Sequence, residues 1–168
     1  MIVISDTTPI ISLLKVQQLQ LLQKLYGTVL VPKAVYRELT ENPSFAEEAA
    51  IVNKADFLSV AVVENVKSVN ILRAVTGLDA GESEALIMYD EQKADILLMD
   101  EHKGRVVAKQ LDIRHIGTAG ILLLAYDKKL IRAAEVKSCV DTMLVNGIRL
   151  DKKICNVMME HVGLKNKY

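Results

Sequence analysis

The chain has 168 residues, 51% of them apolar and 25% charged, a balance that excludes a disordered chain and suits one globular domain burying about two-thirds of its unfolded surface. With 21 basic against 21 acidic residues the formal net charge is zero, so bulk electrostatics gives nucleic-acid binding no support and any such role must rest on local basic clusters. The 2 cysteines, Cys139 and Cys155, give no disulfide framework and suit a reducing compartment. The apolar opening, Ile2 to Ile4, stops at Ser5-Asp6, too short for a secretory signal, and the longest apolar run, Ile116 to Tyr126, falls short of the roughly 20 residues that span a bilayer. The expectation is a cytoplasmic protein with no membrane partner.

Strand-like and helix-like segments alternate. Ile2 to Ser5 reads as a buried strand ending at Asp6. Thr8-Pro9 reads as N-cap and first residue of a helix to Leu14, since proline there loses no hydrogen bond it would have made. A second helix gathers Leu19, Leu21, Leu22 and Leu25 on one face and ends at Gly27. Thr28 to Val31 is a strand, and Pro32 opens a helix to about Thr40 that carries Glu38. Ser44 to Ala55 is helical, with Ser44 and Glu47 at capping-box spacing. Phe57 to Val63 reads as an edge strand, and Val66 to Val75 as a helix broken at Thr76-Gly77.

The helix from Leu78-Asp-Ala-Gly-Glu-Ser-Glu84 to about Gln92 begins with Asp79 and Glu82 at capping-box spacing. Glu84 rivals Glu82 for any site, because two residues along a helix turn a side chain by about 200°. Ile96 to Met99 is a strand ending on Asp100-Glu101. A helix from Gly104 to Leu111, a strand from Ile113 to Ile116 and a helix from Thr118 to Lys128 follow. Helices Ala133 to Val145 and Asp151 to Val162, joined through Asn146-Gly147, form a hairpin. The alternation predicts a three-layer α/β/α fold with a central, mostly parallel sheet. The body is residues 1–130, and residues 131–168 form a helical extension packed on it.

Ligand sites in such sheets lie beyond the carboxyl ends of the strands. Asp6, Asp100 and Glu101 crowd into that crevice if both strands are central, and like charges that close require a shared proton or a cation. The economical explanation is a divalent metal. Each acid also has an ordinary reading: Asp6 and Asp100 as turn residues, Glu38 as a solvated glutamate, Glu82 as half of a capping box. Lys103, Arg105, Lys109 and Arg114 follow the second acidic strand end, either as a solvated face or as phosphate contacts. Thr118, within Gly117-Thr-Ala-Gly120, starts a helix after a strand, in a geometry suited to anions or to a simple turn. His102, His115 and His161 lack metal-ligand spacing.

With these residues in place the chain resembles the PIN-domain family of metal-dependent ribonucleases. Val3-Ile-Ser-Asp6-Thr-Thr8-Pro is similar to that family's opening strand, an acid followed two residues later by Ser or Thr. Glu38 in Val35-Tyr-Arg-Glu-Leu39, Glu82 in Leu78-Asp-Ala-Gly-Glu-Ser-Glu-Ala85, and Asp100-Glu101 in Leu97-Leu-Met-Asp-Glu101 resemble its second, third and fourth acidic positions. Leu111 to Leu123 and the C-terminal helices resemble a prokaryotic branch of PIN-like proteins.

The resemblance implies an RNA substrate and Mg²⁺ or Mn²⁺. Asp6 and Asp100 would bind the principal ion, and Glu38, Glu82 and Glu101 would orient its waters or hold a second one. Thr8 and Thr118 would support them, and Lys103 and Arg105 would contact nucleic acid. It also implies a homodimer and, as in toxin members of the family, a small antitoxin protein blocking the site. Those members usually carry Thr-x-Asp where this chain has Met99-Asp100-Glu101, and often Asp where it has Glu82. The departures support a second expectation, a PIN-like module that binds nucleic acid or protein without cutting. A phosphotransfer domain fits less well: Asp6 is followed by Thr7 and Thr8, not by the Asp-x-Asp-x-Thr of haloacid dehalogenases.

Overall fold

The computed structural model describes residues 1–165 and 168, without the side chain of Ser44. Among the described residues the sheet has five strands, all parallel, in the order β3-β2-β1-β4-β5: β1 Val3–Ser5, β2 Val29–Pro32, β3 Leu58–Ala61, β4 Ile96–Leu98 and β5 His115–Ile116. The sheet is thus wholly parallel, and β3 lies at an edge as its sequence suggested. β1 is central, pairing Ile4 with Leu30 on one side and Ser5 with Leu98 on the other.

The three-layer architecture follows from the two-residue period of the strands. Val3 and Leu98 enter one apolar cluster, with the residues of α1 Thr7–Lys15, α2 Gln20–Tyr26 and α8 Thr118–Asp127. Ile4 and Leu97 enter a second cluster on the opposite face, with those of α5 Val66–Thr76, α6 Ala80–Glu91 and α7 His102–Gln110. The C-terminal helices, α9 Ala133–Val145 and α10 Lys152–His161, feed Val136, Val140, Met143, Met158 and Met159 into the first cluster. Residues 166–167 of that extension lie outside the described residues.

Several boundaries differ from expectation for identifiable reasons. α1 starts at Thr7 with Asp6 as N-cap, not at Pro9 after a Thr8 cap. Proline is tolerated at its third position because no first-turn N–H has a partner inside the helix. α7 begins at His102 after Glu101, two residues before Gly104. α3 is Lys33–Glu41, and Pro32 belongs to β2 while serving as its N-cap. α4 is Ala46–Lys54 with Phe45 as N-cap after a single 3-10 turn. The expected Ser44–Glu47 cap lies outside the described residues. Four helices close through non-glycine residues at positive φ: Gln17 (56°), Lys93 (48°), Asp112 (55°) and Lys129 (59°).

The strand order places a topological switch at β1 and β4, whose carboxyl ends carry Asp6 and Asp100. A crevice opens beyond the strand ends at such a point.

Candidate metal centre

A cleft of about 140 Å³ lies at these strand ends, lined by Asp6, Thr7, Thr8, Glu38, Asp79, Glu82 and Glu101. Asp6 stands one residue past β1, where its N–H still donates to Leu98 O at 2.9 Å, continuing the sheet. That bond fixes its backbone, and the carboxylate is carried inward to 3% exposure. Its pKa is pushed up to about 7, chiefly by burial; the Thr7 backbone N–H opposes this, and Asp79, Glu82 and Glu38 add repulsion.

Glu82 forms the capping box that its spacing suggested and also lines the cleft. Its N–H donates to Asp79 Oδ1 at 2.8 Å while its Oε2 accepts from Asp79 N at 3.0 Å, a complete capping box on α6. The other oxygen, Oε1, is buried and has no hydrogen-bond partner among the described residues. Burial raises the Glu82 pKa most; the Asp79 N–H lowers it, Asp79 and Glu101 raise it, and Lys103 lowers it. Gly104 leaves room beside Oε1, since a Cβ there would stand 3.1 Å from that oxygen and 2.4 Å from Met99 Sδ.

Glu38 reaches the cleft from α3, where its Oε2 accepts from Thr7 Oγ1 at 2.7 Å. The hydroxyl that meets Glu38 is thus that of Thr7. Thr8 lines the cleft beside it. Glu84 is turned away, with its Oε2 accepting from Ala34 N at 2.9 Å.

Asp100 departs from expectation in a different way. Glu101 lines the cleft, but Asp100 is absent from its lining and is bound by Thr118, whose N–H donates to Oδ1 at 2.7 Å and whose hydroxyl donates to Oδ2 at 2.5 Å. Burial raises the Asp100 pKa, the two Thr118 bonds oppose it, and Arg105 lowers while Glu101 raises it. Thr118, fully buried, thus serves a carboxylate and is not set to receive a phosphate. Lys103 Nζ donates to Gly77 O at 2.9 Å, and Arg105 is exposed. Lys109 and Arg114 are exposed as well. His115 Nδ1 meets Ile113 O at 3.0 Å and His161 Nε2 meets Asp127 Oδ1 at 2.8 Å, so both serve local contacts.

Two residues at the cleft escaped the sequence reading as site residues. Thr7 was hidden by the misplaced helix start, and Asp79 entered only as a cap. The signal for Asp79 was its position at the N-terminus of a helix that delivers Glu82, where any cap must face the strand ends.

The donor set suits a hard cation. It consists of carboxylate oxygens, one of them buried and without a partner among the described residues, around an acid that is costly to ionise alone. No group of three or more His, Cys, Asp or Glu among the described residues is already arranged to hold a metal ion. Among the described residues no helix is long and apolar enough to cross a membrane.

A family model described as a PIN domain matches residues 2–164. No curated protein and no solved structure matches the chain. The chain belongs to the PIN-domain family, whose nuclease-type members bind nucleic acid and generally use divalent metal ions.

Proposed function

We propose that this protein is an endoribonuclease that hydrolyses RNA phosphodiester bonds with Mg²⁺ or Mn²⁺. The observation that carries the reading is the buried Glu82 Oε1, without a partner among the described residues and in the same cleft as the desolvated Asp6. A buried carboxylate oxygen left unpaired costs free energy unless something positive meets it. The lack of a three-acid cage among the described residues is compatible with Mg²⁺, which keeps several waters and is held by one or two carboxylates plus substrate phosphate. One water needs about 10–15 Å³ of cavity space, so the 140 Å³ cleft accommodates an ion with a partial water shell.

A bound ion would polarise the phosphate and acidify a water. Asp6 and Glu82 would supply direct oxygens. Glu38, fixed by Thr7, and Glu101, at the rim, would accept protons from water and orient it. Asp100, fixed by Thr118, would hold water from outside the cleft lining. Arg105 and Lys103 at the start of α7 would meet the RNA backbone. Resemblance to the toxin members extends the proposal to a cytoplasmic toxin with a small antitoxin covering the cleft. The homodimer belongs with it, and the exposed Ile71 and Val75, one turn apart on α5, offer an apolar surface for an interface.

The test is cleavage of a mixed RNA pool with Mg²⁺ or Mn²⁺, beside Asp6→Asn and Asp100→Asn and with manganese binding followed by calorimetry. Loss of cleavage in both variants supports the assignment; persistence in both places the activity elsewhere. The sequence departures at Glu82 and Met99-Asp100-Glu101 favour a second reading, a module that binds without cutting. Manganese and RNA binding with no cleavage would select it.

A further inference from the structure

α3 begins without a cap of its own. Pro32, its N-cap, has no side-chain oxygen and makes no side-chain cap bond, although the first N–H groups of any helix lack partners within it. The Ala34 N–H is satisfied from another element, by Glu84 Oε2 of α6 at 2.9 Å. Glu84 sits three residues after Gly81, on the same face of α6. Gly81 marks the close approach of the two helices: a Cβ there would stand 3.1 Å from Val35 Cγ2 and 3.5 Å from Glu38 Oε2.

Four residues beyond Ala34, hence on the same side of α3, is Glu38, whose Oε2 takes the Thr7 hydroxyl at 2.7 Å. One face of α3 is thus held at two points, by Glu84 at its start and by Thr7 one turn later. The second grip brings a carboxylate to the cleft, and the first fixes the helix that carries it. α6 thereby offers two of its acids to different tasks, Glu82 to the cleft and Glu84 to α3.

We propose that Glu84 is a positioning residue: by capping α3 from α6 it sets the helix at the rotation and height where Glu38 meets Thr7 and the carboxylate cleft. Only the metal-binding arm of the test rests on the proposed metal site. Nuclear Overhauser contacts between the Thr7 methyl and the Glu38 side chain, measured on metal-free protein, report the position of Glu38 directly. They are expected to vanish in Glu84→Ala, to weaken in Glu84→Asp, whose reach is one methylene shorter, and to survive in Glu84→Gln, which keeps an acceptor oxygen.

Manganese affinity is expected to fall about tenfold in Glu84→Ala, as for outer-shell partners of metal ligands, and to recover in Glu84→Gln. In a Glu38→Gln background Glu84→Ala should add less than about twofold, because its effect runs through Glu38. Thr7–Glu38 contacts that persist in Glu84→Ala and Glu84→Asp would overturn the proposal, as would an undiminished loss in the Glu38→Gln background. A wild-type protein that binds no manganese would instead overturn the metal reading, while the Overhauser contacts still decide the role of Glu84.

Discussion

Thr118 grips both oxygens of Asp100, one through its backbone N–H at 2.7 Å and the other through its hydroxyl at 2.5 Å. Thr118→Val keeps the shape and deletes the hydroxyl. The loss of this charge-assisted bond is expected to cost about 1–3 kcal/mol, read from urea unfolding, with Thr118→Ser recovering most of it. The Asp100 pKa should rise further, since the Thr118 bonds oppose its burial.

Gly117 immediately precedes this pair. A Cβ added there would stand 2.5 Å from Asp100 Oδ1 and 3.5 Å from Met99 O, so close approach is the reason for glycine. Gly117→Ala should push the carboxylate from its place, costing about 1–3 kcal/mol from overpacking. Under the proposed function, manganese-dependent cleavage should fall at least as far as in Thr118→Val. A structure of Gly117→Ala with Asp100 unmoved would refute this account of the glycine.

The pH dependence of stability follows from Asp6. Its pKa stands at about 7 in the folded chain against an ordinary 3.8, so between these values the folded state binds more protons than the unfolded one. The associated stability is full below the lower value and is lost as pH rises through about 7. One pKa unit corresponds to about 1.4 kcal/mol, which bounds the loss at about 4 kcal/mol. Glu82 and Asp100 shift in the same direction. In chelator, Asp6→Asn should therefore be more stable than wild type at about pH 8 and show a flatter profile between about pH 5 and 8. Manganese should reverse the order by binding wild type alone.

Arg105, exposed at the first turn of α7, is expected to contact RNA phosphate. Arg105→Ala should weaken RNA binding across sequences and reduce the slope of log affinity against log salt by about 1. A salt titration by fluorescence anisotropy measures this, and an unchanged slope would remove Arg105 from the interface. Lys103→Ala should also release Gly77 O, which its ammonium holds at 2.9 Å, and so loosen the loop before Asp79.

The parallel sheet was legible because continuous apolar runs such as Val3-Ile4 and Leu97-Leu98 suit strands buried on both faces, as these are. The acids at their ends were legible for the same reason. What sequence spacing could not resolve was which of two adjacent groups does the work. Thr7 and Thr8 differ by one step of a helix, about 100°, and only the observed start of α1 puts Thr7 against Glu38. The different surroundings of Asp100 and Glu101 were equally out of reach, because Thr118 comes to Asp100 from a separate helix. Glu82 and Glu84 were separable by rotation alone, but the destination of Glu84 at the start of α3 depends on how α6 and α3 pack. Helix ends at Gln17, Lys93, Asp112 and Lys129 lacked the usual glycine signal.

The central pairing of β1 with β4, in which Val3 meets Ile96, also has a consequence during synthesis. A chain emerging from the ribosome holds Asp6 and Glu38 long before it holds Asp79, Glu82 and Glu101. Until β4 is made, β1 has no neighbour on one side and the wall opposite Asp6 does not exist. Such distant pairings form slowly, after much chain has been ordered. The acidic cleft is thus a property of the finished sheet, and a truncated or half-folded chain lacks it.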